Sequence, residues 1–398
     1  HGLVCLLHEK PYAGVNGSGK HNNWSIGTDT GENLLDPGDT PNENLQFLLV
    51  LSCIMNAVDT HADLLRQSAS CVGNEHRLGG QEAPPAIISI FLGDQLESVV
   101  DQIISNAESV KLLASGKLDS GVSTVPVLNK DATDRNRTTP FAFTGNKFEF
   151  RMVGSSDSIA DANTTLNAIV AEALCEAADQ LEQADDFNAA CTKLIHDNMA
   201  QHQRIIFNGD GYSDEWVAEA ARRGLPNLAS LVDAVPALTT EKAVKLFTKF
   251  GIYTQSELEA RADIMYETYV KTIKIEANTM IHMAAKHYIP TVIGYTTRLA
   301  QSITAVASAC PEAELSVQRG LLKDVSARLA EASAALEQLK PLMDRVDAIQ
   351  DVKEMAIAYR TAVVPAMDAL RYPIDQLELM VDKSIWPVPT YGDLMFEV

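Results

Sequence analysis

The chain changes character near residue 158, and this constrains its fold more than any other feature. Beyond that point apolar residues recur at helical spacing, whereas glycines, prolines and short alternating runs punctuate the chain before it. Leu315, Leu322, Leu329, Leu336 and Met343 repeat every seven residues, and Val325, Ala332, Leu339 and Val346 form a second such series. A seven-residue repeat keeps one seam turned toward a partner helix. It predicts coiled-coil-like helices paired within the chain, a subunit contact being the alternative, with a kink at Pro341. Thr254-Gln255-Ser256-Glu257 reads as a capping box that opens a long helix. His282 and His287 do not share a face of a regular helix and read as structural. The stretch from Trp386 to Gly392 holds Pro387 and Pro389 and reads as an extended tail.

The first part of the chain reads as mixed α and β. Residues 1–32 suggest two strands joined by a glycine loop, and 43–67 carry helical spacing in Leu45, Leu48, Leu49, Ile54, Val58, Leu64 and Leu65. Residues 76–92 read as a loop and an apolar strand, 94–115 as a helix, and 122–128 and 141–144 as strand fragments. Phe148-Glu149-Phe150-Arg151-Met152 alternates apolar and charged residues, so as a strand it places Glu149 and Arg151 on one face. The expected class is α+β, an antiparallel sheet with helices over 1–178 followed by an all-helical region over 179–398.

Chemistry concentrates around a glycine-rich run, Lys10-Pro11-Tyr12-Ala13-Gly14-Val15-Asn16-Gly17-Ser18-Gly19-Lys20-His21-Asn22-Asn23-Trp24-Ser25. Closely spaced glycines let a backbone approach a phosphate, because no Cβ intervenes. His21 adds a metal-capable imidazole and Ser25 a hydroxyl. Gly14 to Lys20 also fits the phosphate loop of many NTPases, but that motif needs Ser or Thr after the lysine and a helix at once. Here His21 follows and the next residues read as a strand. A glycine-rich turn between strands is the plainest alternative.

The run resembles the ATP-region signature of glutamine synthetases: Lys-Pro, a spacer, Asn-Gly-Ser-Gly, one residue, His, three residues, Ser. His76-Arg77-Leu78-Gly79-Gly80-Gln81-Glu82-Ala83-Pro84 is similar to the family's Arg-Leu segment and Glu-Ala-Pro flap. Arg135-Asn136-Arg137 and Lys147-Phe148-Glu149-Phe150-Arg151 are similar to its phosphate and metal segments. The wording of the 74–85 segment and the long helical C-terminus resemble the type III branch. The resemblance implies part of a glutamine synthetase catalytic domain, and ligation of ammonia to glutamate at the expense of ATP through a γ-glutamyl phosphate. It implies His21 and Glu149 as ligands of Mg²⁺ or Mn²⁺, Asn16, Gly17, Arg77 and Arg151 at glutamate, and Asn23, Ser25, Arg137 and Lys147 at the nucleotide. Glu82 would accept the ammonium proton, and Arg137 and Arg151 would stabilise the transferred phosphoryl group. It further implies a homo-oligomer of stacked hexameric rings, a dodecamer, with sites between subunits. Two positions depart from other branches of the family. Ala142 replaces a second arginine, for which Lys147 is a nearby substitute, and Asn23 replaces a second histidine.

Composition sets limits on partners. A net charge of −21 disfavours binding to polyanions such as DNA or RNA. No apolar run reaches 18 residues, so no membrane-spanning helix is expected, and no signal peptide is visible. Six cysteines, at 5, 53, 71, 175, 191 and 310, form no CxxC pair. Buried free thiols and a cytoplasmic location are expected, without a structural zinc. The strand-like opening His1-Gly2-Leu3-Val4-Cys5-Leu6-Leu7 suggests a fragment. In the family it resembles, a small sheet domain and further metal-binding carboxylates precede this motif. A phosphate-loop NTPase with a helical partner domain, and a non-catalytic helical assembly protein, are the competing readings.

Overall fold

The computed structural model describes residues 9–10, 17, 19–78, 86–106, 138–390 and 393–394, and the backbone of 117–118 and 128–129. The described residues divide into two compact units, one ending at Ala262 and one beginning at Asp263.

In the first unit the strands are β1 (Asn22–Trp24), β2 (Ile90–Phe91), β3 (Lys117–Leu118), β4 (Leu128–Asn129), β5 (Phe141–Phe143) and β6 (Phe148–Phe150). Four of them form a sheet in the order β1-β6-β5-β2, and β3 and β4 pair as a separate antiparallel ribbon. The sheet is mixed rather than wholly antiparallel, because β2 runs parallel to β5. Parallel neighbours need a long crossover, and the chain between Phe91 and Phe141 supplies it. Alternation sorts the side chains. Phe141, Phe143, Phe148 and Phe150 are buried, with Phe141 stacked on Phe148 at 4.5 Å and Phe143 edge-on to Phe148 at 5.3 Å. Glu149, between two buried phenylalanines, projects to the other face.

Helices cover the phenylalanine side. The apolar spacing over 43–67 yields two helices, α1 (Leu45–Thr60) and α2 (Ala62–Gln67), because the chain turns at His61 (φ −117°, ψ 29°). The His61 imidazole is buried there, with Nε2 3.0 Å from Glu172 Oε2. Asn44 caps α1 by accepting from Phe47 N at 3.0 Å. There follow α3 (Val72–Glu75), α4 (Asp94–Ile104), α5 (Ala160–Leu181), α6 (Phe187–His202), α7 (Asp214–Arg222), α8 (Leu231–Ala234) and α9 (Glu241–Lys249). α4 is shorter than the expected 94–115 helix, whose last part lies outside the described residues. α1 packs on α5 and α6, and α5 also holds β1: Asn22 Nδ2 donates to Asn163 Oδ1 (2.8 Å) and Trp24 Nε1 to Asn167 Oδ1 (2.9 Å).

α10 (Gln255–Met283) opens on the expected capping box: Thr254 N donates to Glu257 Oε2 (2.8 Å) and Glu257 N to Thr254 Oγ1 (3.3 Å). The second unit takes the remainder of α10 from Asp263, then α11 (Ile289–Ala309), α12 (Ser316–Asp347), α13 (Val352–Ala358) and α14 (Val364–Met380). The seven-residue series lies on α12, where Val325, Ala332, Leu336, Leu339, Met343 and Val346 are buried against α11 and α14. α12 runs through Pro341, which is exposed. Two π turns, at Ala284–Tyr288 and Tyr359–Val363, depart from the helical reading; the first adds a residue to the turn and brings the rings of His282 and His287 to 5.6 Å. Residues 381–390 are non-helical, as the prolines require. Among the described residues no helix is long and apolar enough to cross a membrane. Cys53 and Cys191 are buried as expected, but Cys175 and Cys310 are exposed, because they fall on solvent-facing positions of α5 and just past α11.

The sheet core generates a prediction. Phe148→Ala removes a fully buried ring stacked between strands, and large-to-small changes of this kind cost about 3–5 kcal/mol. Urea unfolding of the variant should show that loss; a change under about 1 kcal/mol would mean the phenylalanine stack is not what holds β6 in place.

Candidate active site

The exit of the glycine loop is strand, not helix. Gly19 bridges Gly154, Lys20 N donates to Val153 O (2.9 Å), and β1 begins at Asn22. The NTPase phosphate-loop reading requires a helix here and is overturned.

Two glycines of the run rest on Arg77. A Cβ at Gly17 would stand 2.5 Å from Arg77 Cβ, and one at Gly19 would overlap the guanidinium. Neither glycine has positive φ, so space rather than backbone freedom demands them. Arg77 is 3% exposed. Its Nη1 donates to Asn74 Oδ1 (2.7 Å) and Met152 O (3.2 Å), and its Nη2 to Arg151 O (2.9 Å). Burial lowers its pKa, with Glu9 opposing. The family resemblance implies a clamp on substrate carboxylate. Here the guanidinium faces main-chain carbonyls and joins the loop to the end of β6. Asn74, to which no role was assigned from the sequence, completes this joint from a fully buried position, donating to Ala69 O and Met152 O at 2.7 Å each.

β1 and β6 then bring the candidate metal ligands together. Asn23 pairs in register with Glu149, which in turn pairs with Ala142, so these three share the face opposite the phenylalanines. His21 Nδ1 lies 3.6 Å from Glu149 Oε2. Arg151 donates to the same oxygen through Nε (3.1 Å) and Nη2 (3.0 Å), and through Nη1 to Thr139 O (3.4 Å). Partial burial and the Arg151 guanidinium lower the His21 pKa, with Glu149 opposing them. The shift favours the neutral imidazole, the form that binds a metal. One imidazole nitrogen and one carboxylate at this spacing fit two positions of a divalent-cation site. Among the described residues no group of three or more such ligands occurs.

The remaining predicted residues divide. Asn23 is exposed, with Nδ2 3.5 Å from His21 O. Ser25 Oγ donates to Asn33 Oδ1 (2.7 Å), joining two turns, and Lys147 Nζ reaches Asn146 Oδ1 (3.3 Å) beside it. Ala142, buried under Glu149, leaves no second arginine on this face of the strand. Asn16, Glu82 and Arg137 lie outside the described residues.

Comparison with known proteins bears on this arrangement. Residues 190–307 match the family profile described as the glutamine synthetase C-terminal domain. Over its whole length the chain is 44% identical to a type-3 glutamine synthetase of Dictyostelium discoideum, covering 55% of that protein. It is 40% identical to a glutamine synthetase of Butyrivibrio fibrisolvens and 39% identical to one of Bacteroides fragilis, covering 57% and 56% of them. Along its whole length the chain is thus similar to proteins named as glutamine synthetases. It spans little more than half the length of these relatives. The profile match falls on helices that carry none of the glutamine synthetase motifs, so it is independent of the glycine run and of the Glu149-Phe150-Arg151 strand.

The joint at Arg77 yields a prediction. Gly17→Ala forces a methyl against the Arg77 side-chain stem, an overpacking that costs about 1–3 kcal/mol. Denaturant unfolding should show a loss for Gly17→Ala, and a crystal structure should show loop and Arg77 displaced. An unchanged loop position would mean that Arg77 does not shape it.

Proposed function

We propose that this chain contributes to an ATP-dependent glutamate–ammonia ligase, forming glutamine through γ-glutamyl phosphate. The observation that carries the reading is the pairing of β1 with β6. It sets the His21 of the glycine run beside the Glu149 and Arg151 of a segment more than a hundred residues away.

The chemistry assigns the roles. His21 and Glu149 would hold Mg²⁺ or Mn²⁺, with further oxygen ligands from outside the described residues. The bound cation supplies charge neutralisation as the glutamate carboxylate approaches the ATP phosphates. Arg151, whose planar fork rests on the Glu149 carboxylate, would also meet the glutamate and, with Arg137, would follow charge onto the transferred phosphoryl group. Asn16 and Gly17 would meet the glutamate, and the Arg77 joint holds that segment in place. Asn23, Ser25 and Lys147 would flank the nucleotide. Glu82 would take the ammonium proton, a step typically worth about 10²–10⁴-fold in rate. Assembly into stacked hexameric rings with shared sites, and a cytoplasmic location, complete the proposal. The unpaired cysteines among the described residues suit a reducing compartment.

Glu149 and Arg151 provide the test. Glu149→Gln keeps shape but loses the charge that holds a cation, so its defect in glutamine formation should ease as Mg²⁺ or Mn²⁺ is raised. Arg151→Lys keeps charge but loses the fork, so its defect should not respond to metal. Turnover of the assembled enzyme, measured across metal concentration, separates the two. A Glu149→Gln variant with the metal dependence of wild type removes Glu149 from the ligand set.

A further inference from the structure

Immediately before the glycine run stands Glu9, a carboxylate 3% exposed that no motif includes. Its Oε2 accepts from Ser155 N (2.7 Å) and from Ser155 Oγ; its Oε1 accepts from Ser156 N (3.1 Å) and Ser156 Oγ (2.5 Å). Two successive backbone N–H groups and two hydroxyls form the kind of cradle that receives an anion, and the chain's own carboxylate fills it. Burial by itself would raise the Glu9 pKa; the hydrogen bonds from Ser155 and Ser156 together outweigh it and hold the pKa below the usual glutamate value.

Two glycines leave room for this side chain and a third for its main-chain carbonyl. A Cβ at Gly154 would stand 3.0 Å from Glu9 Oε1, one at Gly73 3.3 Å from Glu9 Cγ, and one at Gly17 3.3 Å from Glu9 O. None of the three has positive φ, so here too the requirement is space. The segment that holds Glu9 is the one that holds the loop's exit, through the Gly19–Gly154 bridge and Lys20 N to Val153 O. The run is therefore fastened at both ends to residues 153–156, which begin two residues after Arg151. His21 stands just past one fastening and Glu149 just before the segment.

We infer that Glu9 is a positioning residue: by locking the start of the glycine run to Ser155 and Ser156, it sets where His21 stands relative to Glu149 and Arg151. The inference rests on reading that trio as the metal and phosphoryl site. A Glu9 that only added stability would fasten the fold without affecting the cation.

Glu9→Gln in the full chain tests this. The amide keeps the volume but replaces one acceptor oxygen with an NH₂, which a serine hydroxyl can turn to accommodate and a backbone N–H cannot. Hydrogen exchange at Lys20, Ser155 and Ser156 should accelerate about 10-fold, and Mn²⁺, followed by paramagnetic broadening of the 21–23 and 148–150 amides, should bind about 10-fold more weakly. Protection in α1 and α5 should stay unchanged. Uniform loss of protection would overturn the positioning role, and so would unaltered Mn²⁺ binding beside localised exchange where Glu149→Gln itself weakens Mn²⁺ binding. If Glu9→Gln does not fold, Ser156→Ala removes one hydroxyl only, and the same local pattern at reduced size is expected. Glu149→Gln serves as the control. If it binds Mn²⁺ as wild type does, the metal reading of the trio falls, and the exchange pattern of Glu9→Gln alone decides the inference: localised loss supports the fastening and uniform loss overturns it.

Discussion

The buried guanidinium of Arg77 is the interaction on which the rest of the candidate site depends. Taking a charge of this kind out of water costs several kcal/mol unless its donors are met. Here they are met by the Asn74 side chain and by the carbonyls of Arg151 and Met152. Those carbonyls lie just past the strand that carries Glu149, where Arg151 stands, so the guanidinium fixes the end of that strand. The stem and head of the same side chain define the surface on which Gly17 and Gly19 lie. One residue thus couples the glycine run to the strand without touching either candidate metal ligand.

The sheet accounts for the other half of the arrangement. Pleating sends successive side chains to opposite faces. The four phenylalanines are buried on one face, with Phe143 5.8 Å from Phe47 of α1, leaving the opposite face to Asn23, Glu149 and Ala142. Because Asn22 and Trp24 are themselves held by Asn163 and Asn167 of α5, β1 cannot slip in register without breaking those bonds. A slip of one residue would exchange the buried and chemical faces. Helix packing therefore guards the alignment of His21 with Glu149, although no helix contributes a side chain to that pair.

The helical unit follows a simpler rule with two exceptions. The seven-residue seam of α12 packs against α11 and α14 as a continuous apolar stripe. Asp347, at the end of α12, accepts from Tyr359 Oη (2.6 Å) and pairs with Lys274 Nζ (2.8 Å), closing the seam with polar contacts. The exceptions are the π turns at Ala284–Tyr288 and Tyr359–Val363. Each precedes a helix with proline near its start, where the ring removes a backbone donor and the preceding turn widens. The first of them brings His282 and His287 onto one face.

Periodicity and local chemistry were enough to establish much of this protein. The helical region, its seven-residue seam, the capping box at Thr254, the β6 strand and the glycine run all follow from spacing that each segment carries within itself. The grouping of His21, Glu149 and Arg151 came from family resemblance, and the structure places them together. Tertiary structure alone decided the parallel pairing of β2 with β5, the break at His61, the inward turn of Arg77 and the burial of Glu9 and Asn74. Each of these depends on partners far along the chain: His61 on Glu172, Arg77 on Met152, Glu9 on Ser155 and Ser156. A polar residue in a loop reads as solvated until the fold supplies a partner that makes burial affordable, and no local pattern announces that partner.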